Sequence, residues 1–323
     1  MLTEADLLPD ERAQLRHVID HLDDNAVLLA YADWLQADAP DRAAFIRQMV
    51  TATTTRMPGD LPDVGDLHRE WTELVGHQLL HAVLHSNQPE LWTTYARVVR
   101  PCLRMAAMDV DGELPVGCSK FGGLPDLPAS TPWPLAKDAT AVYNDRATCD
   151  LAMTFALQIN LADVSGTFVE ELLPTHGVLS VFVYQDWHSD EDGAHVLWST
   201  TDDLVSTPQP PPNIDMNQEQ PLKRLVFHET LDIPATDGPW GEELAAVEYD
   251  EQGVPSRMHE ANFDAFLGYA KQTTADDPTP NKDVRHLFAV EQDECSRFHI
   301  QLHKDDLKAG RFDKVMLSWL DYD

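Results

Sequence analysis

Histidines recur every fourth residue in the stretch LHREWTELVGHQLLHAVLH, at positions 77, 81 and 85. On an α-helix this spacing places all three on one face, with Glu70 and Glu73 one or two turns earlier. Two histidines four residues apart on a helix can hold a transition metal. The zincin motif, however, needs glutamate directly after the first histidine, where this chain has Gln78. Two ligands on one helix also require a third from elsewhere. The pattern favours a polar helix face, and we predict no metal site.

A second group of histidines lies near the end of the chain, where RFHIQLH alternates between apolar and polar residues. The alternation predicts a strand whose core side carries Phe298, Ile300 and Leu302, and whose solvent side carries Arg297, His299, Gln301 and His303. At the usual rise per strand residue, His299 and His303 lie about 13 Å apart, too far to share one ion.

The segment VRHLFAVEQDECSRFH predicts a hairpin through which His286 can join His299 or His303. Three acidic residues lie at its expected turn: Glu291, Asp293 and Glu294. A solvated sheet face accounts for these polar residues without catalysis, and we favour that interpretation. If the chain contains an enzyme site, this surface of histidines and carboxylates is where we expect it.

Nucleophilic catalysis has little support in the sequence. There is no G-x-S-x-G motif, and no particular pair of the abundant carboxylates is singled out by its spacing. The four cysteines are scattered without a C-x-x-C pair, at positions 102, 118, 149 and 295. This usage favours reduced thiols in a cytoplasmic protein over a disulfide framework or a zinc knuckle. The sequence indicates no particular cofactor.

The stretch SKFGGLPDLPASTPWP, residues 119–134, combines adjacent glycines with four prolines and a tryptophan. Gly122 and Gly123 permit backbone angles that other residues avoid, and the prolines restrict the chain around them. Such a loop can present backbone N–H groups to a ligand, so Gly122, Gly123 and Trp133 are candidate binding residues. The spacings that cradle phosphates are absent, however. We therefore favour a packing role, with Trp133 buried against the sheet.

The charge balance restricts the partners. The chain has 55 acidic and 23 basic residues and a formal net charge of −32. Direct binding to nucleic acid or to anionic membranes is not expected, because both need clustered Lys and Arg. A basic protein partner would be attracted, although the charge also serves solubility alone.

Neither the start of the chain nor its hydropathy predicts a membrane-directed protein. The opening residues MLTEADLLPDERAQ lack the basic and apolar regions of a signal peptide. No apolar run approaches the roughly 18 residues that cross a bilayer. These features also favour the cytoplasm.

Periodicity predicts an α+β chain with two domains, residues 1–100 and 101–323. The first is helical, with helices in DERAQLRHVIDHLDD, in NAVLLAYADWLQA with Asn25 as N-cap, in PDRAAFIRQMVTAT after Pro40, from Asp66 to His85, and from about Pro89 to Val99. The second is rich in strands, which follow one another with few helices between and so favour a mostly antiparallel sheet. Its strands are expected in MTFALQINL, HGVLSVFVYQD, HVLWST, LKRLVFHETLDI, LAAVEYD, RFHIQLH and DKVMLSWL, and its main helix in ANFDAFLGYAKQ. The alternation in MTFALQINL predicts one apolar face with Met153, Phe155, Leu157, Ile159 and Leu161, and an opposite polar face with Thr154, Gln158 and Asn160.

Residues 101–323 resemble the YwqG-like family of bacterial proteins. The resemblance rests on SKFGGLPDLPASTPWP, then MTFALQINLADV, then LLPTHGVLSVFVYQD, and on the closing strand–helix–strand pattern HIQLHKDDLKAGRFDKVMLSWL. It implies an α+β fold and carries no catalytic residues across. Members of the family lie near bacterial toxin systems, which implies that an immunity role is worth testing.

Residues from about 8 to 50 resemble a second bacterial module, the repeat-companion domain. The resemblance rests on the run Tyr31-Ala32-Asp33-Trp34-Leu35, followed by Asp41-Arg42-Ala43 and Phe45-Ile46-Arg47. No activity follows from it.

Three functional hypotheses remain open. The first is a non-catalytic, acidic binding protein, such as an immunity or antitoxin-like factor that occludes a basic protein partner. The alternative is a metal- or ligand-dependent enzyme of unknown reaction that uses the histidine and carboxylate surface. The third is an adaptor whose helical region docks to another protein. In that case, deleting residues 1–100 should abolish the complex and leave the remainder folded.

Overall fold

The computed structural model describes residues 2–85, 89–140, 148–184, 193–200, 202–207, 221–233, 265–269, 283–291 and 296–321. The chain divides into two compact units. The first contains Met1–Arg104 and His228–Phe288, and the second contains Met105–Phe227 and Ala289–Asp323. Each unit is therefore built from two separate segments of the chain. The predicted division of the chain at residue 100 into two sequential domains stays a prediction.

Helices occupy the first unit almost from its start. They are α1 (Glu11–Ile19), α2 (Asn25–Leu35), α3 (Pro40–Thr55), α4 (Arg69–Leu74), α5 (His77–His85) and α6 (Trp92–Val98). Pro40 stands in the first turn of α3, as expected for a residue that has no N–H to leave unpaired. The N-cap of α2 is Asp24, whose carboxylate accepts a hydrogen bond from Ala26 N at 2.8 Å. The prediction that Asn25 is this cap was wrong by one residue.

The single helix predicted from Asp66 to His85 is two helices, α4 and α5. The chain turns between them at Gly76, which has φ +82°. A positive φ favours glycine, and a Cβ at this position would also be in tight contact, 3.3 Å from Leu22 and 3.4 Å from Trp92. The break separates Glu70 and Glu73 from the histidines of α5.

Fourteen strands lie in the part of the chain that the structure describes. They are β1 (Arg100–Asp109), β2 (Lys120–Phe121), β3 (Asp126–Pro128), β4 (Leu135–Thr140), β5 (Thr148–Ala152), β6 (Thr154–Asn160), β7 (Val178–Tyr184), β8 (Gly193–Ser199), β9 (Leu204–Ser206), β10 (Lys223–Asp232), β11 (Ala265–Phe266), β12 (Val284–Glu291), β13 (Ser296–His303) and β14 (Met316–Asp321). A short helix, α7 (Lys304–Lys308), follows β13.

In the first unit the strand order is β11–β1–β10, and in the second it is β10–β2–β6–β7–β8. The second unit also contains the adjacent strands β13 and β14 and the pairs β3–β9 and β4–β5, while most of β12, the neighbour of β13, belongs to the first unit. Every pairing with a described register is antiparallel. The prediction of an α+β chain with a helical start and a largely antiparallel sheet is confirmed.

Part of one predicted helix is a strand. Within ANFDAFLGYAKQ the structure describes residues 265–269, where Ala265 and Phe266 pair with Arg104 and Leu103 of β1. Leu267 then adopts φ +65°, which no regular helix contains. The predicted strand LAAVEYD lies outside the described residues.

A β-bulge in β6 changes the faces that the sequence pattern predicts. Phe155 pairs with Phe182, whereas Leu157 pairs with Val181, so one residue of β7 opposes two of β6. Successive β7 residues point to opposite faces, and the bulge therefore places Phe155 and Leu157 on opposite faces of the sheet. The predicted single apolar face for both residues was wrong. Gln158 consequently shares the face of Phe155 and is fully buried.

Candidate functional site

The two glycines of the glycine–proline loop (residues 119–134) turn the chain directly after β2. Gly122 and Gly123 both adopt φ +67°, a region that side chains disfavour. Gly122 N donates a hydrogen bond to Ala156 O at 2.9 Å. A Cβ on Gly123 would lie 3.1 Å from Leu222 Cδ1. The N–H of Gly122 is thus used to hold the loop on β6.

Trp133 anchors the other end of the loop. Its indole N–H donates to Met153 O at 2.8 Å. The ring packs edge-on against Phe182, with 5.4 Å between ring centroids. It lies against a buried cluster that Phe182 forms with Leu127, Met153 and Phe155. Trp133 itself is partly buried, and these contacts anchor the loop on that cluster.

Beneath the loop lies a buried ion pair that the sequence analysis missed. Lys120 Nζ is 2.8 Å from Asp126 Oδ2, and the two side chains are 7% and 2% exposed. The same carboxylate oxygen accepts hydrogen bonds from Gly117 N at 2.8 Å and from Gln158 Nε2 at 3.0 Å. Gln158 Oε1 in turn accepts from Asp126 N at 2.9 Å. These interactions satisfy the buried carboxylate, as a charge out of water requires.

A second layer of hydrogen bonds extends this polar core along β6. Ser119 Oγ donates to Asp163 Oδ2 at 2.7 Å and accepts from Asn160 N at 2.9 Å. Asn160 Nδ2 donates to Gly117 O at 2.8 Å. Its Oδ1 accepts from Ala162 N at 3.0 Å, which caps the short helix after β6. The loop and the motif ALQINLADV are therefore tied together by side chains from both. The signal in the sequence was Gln158 and Asn160 on an otherwise apolar strand.

Cys118, beside this polar core, is not set up as a nucleophile. Burial raises the pKa of its thiol, and the nearby Lys120 ammonium only partly opposes that effect. A cysteine with a raised pKa is a thiol at neutral pH, whereas nucleophilic cysteines have lowered values. The chemistry of this polar core is that of a closed, hydrogen-bonded framework.

Residues 119–320 match the family model of a domain of unknown function, DUF1963. The chain belongs to the DUF1963 family. The match begins at Ser119, the first residue of the glycine–proline loop, and ends at Leu320 in β14. YwqG-like proteins carry this domain, so the first resemblance is confirmed at the level of the domain. The second resemblance, at residues 8–50, lies outside the match. No curated protein matches the chain.

The DUF1963 domain holds two candidate histidines on β13, and one of them is placed differently from the prediction. His299 and Gln301 are buried, together with Ile300 and Leu302. The expectation of a solvated polar face was therefore wrong for His299 and Gln301, because β13 is covered on both sides at these positions. His303 is partly exposed and accepts a hydrogen bond from Asp305 N at 3.2 Å, which makes it the N-cap of α7.

His286 belongs to the first unit and is fully buried. Its ring Nδ1 lies 2.9 Å from Ala265 O. Its backbone N donates to Gly268 O at 3.2 Å, and its carbonyl accepts from Leu267 N at 2.7 Å. His286 thus secures the segment around β11. Of the acidic residues expected at the adjoining turn, Glu291 ends β12, and Asp293 and Glu294 lie outside the described residues.

The histidines of α5 follow one another along the helix, and only the rings of His81 and His85 are stacked. The ring centroids of His81 and His85 are 4.1 Å apart, and those of His77 and His81 are 6.3 Å apart. His77 Nε2 lies 3.1 Å from Pro62 O. Burial lowers the pKa of His77 and His81. Among the residues that the structure describes, no group of three or more His, Cys, Asp or Glu side chains is placed to hold a metal.

The residues of the repeat-companion resemblance surround a buried carboxylate in the first unit. Glu11 accepts hydrogen bonds from Tyr31 Oη at 2.8 Å, Trp71 Nε1 at 3.0 Å and Leu8 N at 2.7 Å. Arg42 NH1 adds an ion pair at 2.8 Å. Burial and the Glu11 carboxylate raise the pKa of Tyr31. The tyrosine and arginine of the motif therefore hold α1, α2 and α3 around one charge.

A second buried carboxylate joins this helical region to β10 within the first unit. Glu70 Oε2 accepts from Leu2 N at 2.7 Å and from Glu229 N at 3.2 Å, and Glu70 Oε1 lies 3.0 Å from His228 Nδ1. Arg12 pairs with Glu229 at 3.2 Å. The DUF1963 match thus includes a strand segment that packs with the N-terminal helices.

Most described cations are paired with carboxylates, whereas many carboxylates remain in solvent. Ion pairs hold Arg12, Arg42, Arg47, Arg69, Arg97, Arg104, Lys120, Lys223, Arg311 and Lys314. Exposed acidic residues in the helical region include Asp10, Asp20, Asp24, Asp38, Asp41, Asp63 and Asp66. The acidic excess is therefore a property of the surface. No helix among the described residues is long and apolar enough to cross a membrane.

Proposed function

We propose that this protein is a non-catalytic binding protein for a basic protein partner, acting in the cytoplasm as an immunity or antitoxin-like factor. Its acidic surface would cover the partner's active site or nucleic-acid groove. The helical N-terminal region, of the repeat-companion type, would take part in docking.

One observation carries this proposal: the basic side chains are largely used in ion pairs, while carboxylates face solvent. In the helical region, Arg42 is held by buried Glu11, and Arg47 pairs with Asp33. Each such ion pair is nearly neutral, so the carboxylates in excess of the cations set the potential of the surface. A surface of this kind attracts cationic partners and raises their rate of association.

The enzyme alternative has less support from the described residues. The buried positions of His286 and His299 remove them from the solvated surface on which that hypothesis depended. The raised pKa of Cys118 and the closed ion pair of Lys120 with Asp126 also give no activated group. These observations favour recognition over catalysis.

The experiment that tests the proposal is native mass spectrometry of the chain purified gently from its own host. We expect a stoichiometric complex with a protein of high isoelectric point, which dissociates as salt is raised from about 0.05 to about 0.5 M. A complex that is insensitive to salt, or a bare chain, would contradict the proposal. A monomer that carries a metal or a small ligand would instead support the enzyme alternative.

A further inference from the structure

Helix α2 presents an apolar face to solvent in addition to the face that it buries. We define the outer face of α2 as Ala26, Leu29, Ala30, Asp33 and Trp34, all exposed. The opposite side, with Leu28, Tyr31, Ala32 and Leu35, is buried in the first unit. Leu29 and Trp34 are 40% and 36% exposed, so two large apolar side chains of this helix are open to solvent.

The middle of the outer face of α2 carries small side chains, and we call this row of alanines the groove of α2. At 100° per residue, Ala26 and Ala30 lie between Leu29 on one side and Trp34 on the other. Small residues between two larger ones let another helix approach closely. Trp34 is held in place because its ring stacks on Tyr31, with centroids 6.1 Å apart and planes within 14°. An anchor that is already ordered loses little entropy on binding.

Acidic residues border this groove. Asp24 stands at the N-terminal end of α2, and Asp38 and Asp41 follow its C-terminal end. Within the groove, the exposed carboxylate of Asp33 lies 2.8 Å from Arg47 NH2. The groove therefore combines an apolar centre with negative ends, which complements an apolar helix face flanked by Lys or Arg.

We propose that the outer face of α2 binds an amphipathic helix of a partner protein, with the apolar side of that helix on Leu29, Ala30 and Trp34 and its basic flanks toward Asp24, Asp38 and Asp41. This proposal rests on the proposed function and identifies the surface that recognises the partner. A second copy of this chain is a poorer occupant, because each copy has a formal charge of −32 and the two would repel.

The test uses two labelled peptides of about 18 residues. Both consist of the same numbers of Leu, Ala and Lys, and only one arranges its leucines on a single helix face. Each is titrated by fluorescence anisotropy with the full chain, with Ala30→Glu and with Ala13→Glu. Ala30 and Ala13 are both exposed helical alanines, on α2 and α1 respectively. Either substitution adds the same charge, but only the first fills the groove.

We expect the full chain to bind the amphipathic peptide at least about tenfold more tightly than the scrambled one. In Ala30→Glu, the ratio of the affinities for the two peptides should fall by about tenfold, although the added negative charge attracts a basic peptide. In Ala13→Glu, this ratio should stay within about twofold of that of the parent chain. Equal binding of both peptides, or binding of neither, would overturn the assignment of this face. So would a dimer that Ala30→Glu dissociates in sedimentation.

The outcome is separable from that of the proposed function. Equal, salt-sensitive binding of both peptides would reject the α2 groove and leave recognition of a basic partner intact. Conversely, a groove-dependent preference in the peptide titration, together with no host partner in native mass spectrometry, would reject the antitoxin-like role and retain the docking face.

Discussion

Lys120 Nζ lies 2.8 Å from Asp126 Oδ2 in the interior of the DUF1963 domain. Lys120 is on β2 and faces Gln158 of the neighbouring strand β6, whereas Asp126 begins β3 after the glycine–proline turn. The ion pair therefore fixes the position of the loop over the sheet. Asp126 also forms hydrogen bonds with Gln158, a residue that strict alternation along β6 would have placed in solvent.

Replacing Lys120 with methionine should destabilise the protein by about 3–5 kcal/mol, because the Asp126 carboxylate would stay buried without its cation. Equilibrium unfolding in urea measures this change. The matched control is Lys223→Met, which breaks the exposed pair with Asp109, where the side chains are 32% and 93% exposed. Its cost should be below about 1 kcal/mol. Equal costs for the two variants would show that the buried pair has no special role.

Gly177→Ala should destabilise the second unit more than Gly166→Ala does. Both glycines have positive φ, +112° and +77°, so both substitutions carry backbone strain of about 1–2 kcal/mol. At Gly177 a Cβ would also collide with the Trp198 indole and lie 2.7 Å from Ser199 O, whereas at Gly166 it would meet nothing within 4 Å. We expect an additional loss of about 1–3 kcal/mol at Gly177 alone.

Thermal unfolding of these two variants, followed by tryptophan fluorescence, measures the difference. Trp198 Nε1 donates to His176 O at 3.1 Å, and displacement of the indole should change the native emission only in Gly177→Ala. Indistinguishable melting temperatures for the two variants would refute the close packing of Trp198 on Gly177.

Stability should fall as the pH is lowered through the histidine range. Burial lowers the pKa of His77, and burial together with the charge of His85 lowers that of His81. The unfolded chain therefore binds more protons than the folded chain just below the ordinary histidine pKa of about 6.5, and stability present above that value is lost as pH falls. Urea unfolding between about pH 7.5 and about pH 5.5 measures the slope, because most carboxylates titrate below this window.

His77→Gln should flatten that slope, since glutamine does not titrate. Gln78→Ala, at the next and exposed position of α5, should keep the slope of the parent. If both variants have the same slope as the parent, His77 is not the group that links protons to folding.

Deleting residues 1–100 should prevent independent folding of the remainder, contrary to what the adaptor hypothesis requires. The segment 228–288 belongs to the same unit as the N-terminal helices. Removal of Arg12 and Glu70 would take the ion pair from Glu229 and the carboxylate partner from His228. We expect loss of a cooperative thermal transition in circular dichroism, and its recovery when residues 1–100 are expressed together with the fragment. A cooperative transition in the fragment alone would refute this expectation.

Local sequence was sufficient for α1, α2 and α3 and for the strands β6, β7, β8, β10, β13 and β14, but it did not predict the ten-residue strand β1. Pro40 begins α3 and the 3.6-residue repeat of apolar side chains gives α1 and α2, since these signals act within one or two turns. It was not sufficient for the break between α4 and α5 at Gly76, because the side chains that pack closely on this turn, Leu22 and Trp92, are distant in the chain.

For the candidate site too, local sequence predicted some features and tertiary packing decided the others. Sequence alone found the glycine–proline loop and its family, since glycine, proline and tryptophan at fixed spacing are a local signature. It placed Gln158 and His299 in solvent, because strand alternation assumes one covered face and an unbroken ladder. The bulge between Phe155 and Leu157 and the layers over β6 and β13 were decided by tertiary packing.

The sequence by itself therefore determined the fold class, the acidic excess and the membership of the loop in a DUF1963 domain. Only the tertiary structure decided that Lys120 and Asp126 neutralise each other in the interior, that the candidate histidines at 286 and 299 are core residues, and that α2 leaves Leu29 and Trp34 exposed. The physical reason is the distance along the chain over which each effect acts. Composition and periodicity act along the chain, whereas the burial of a charge depends on which distant segments exclude water from it.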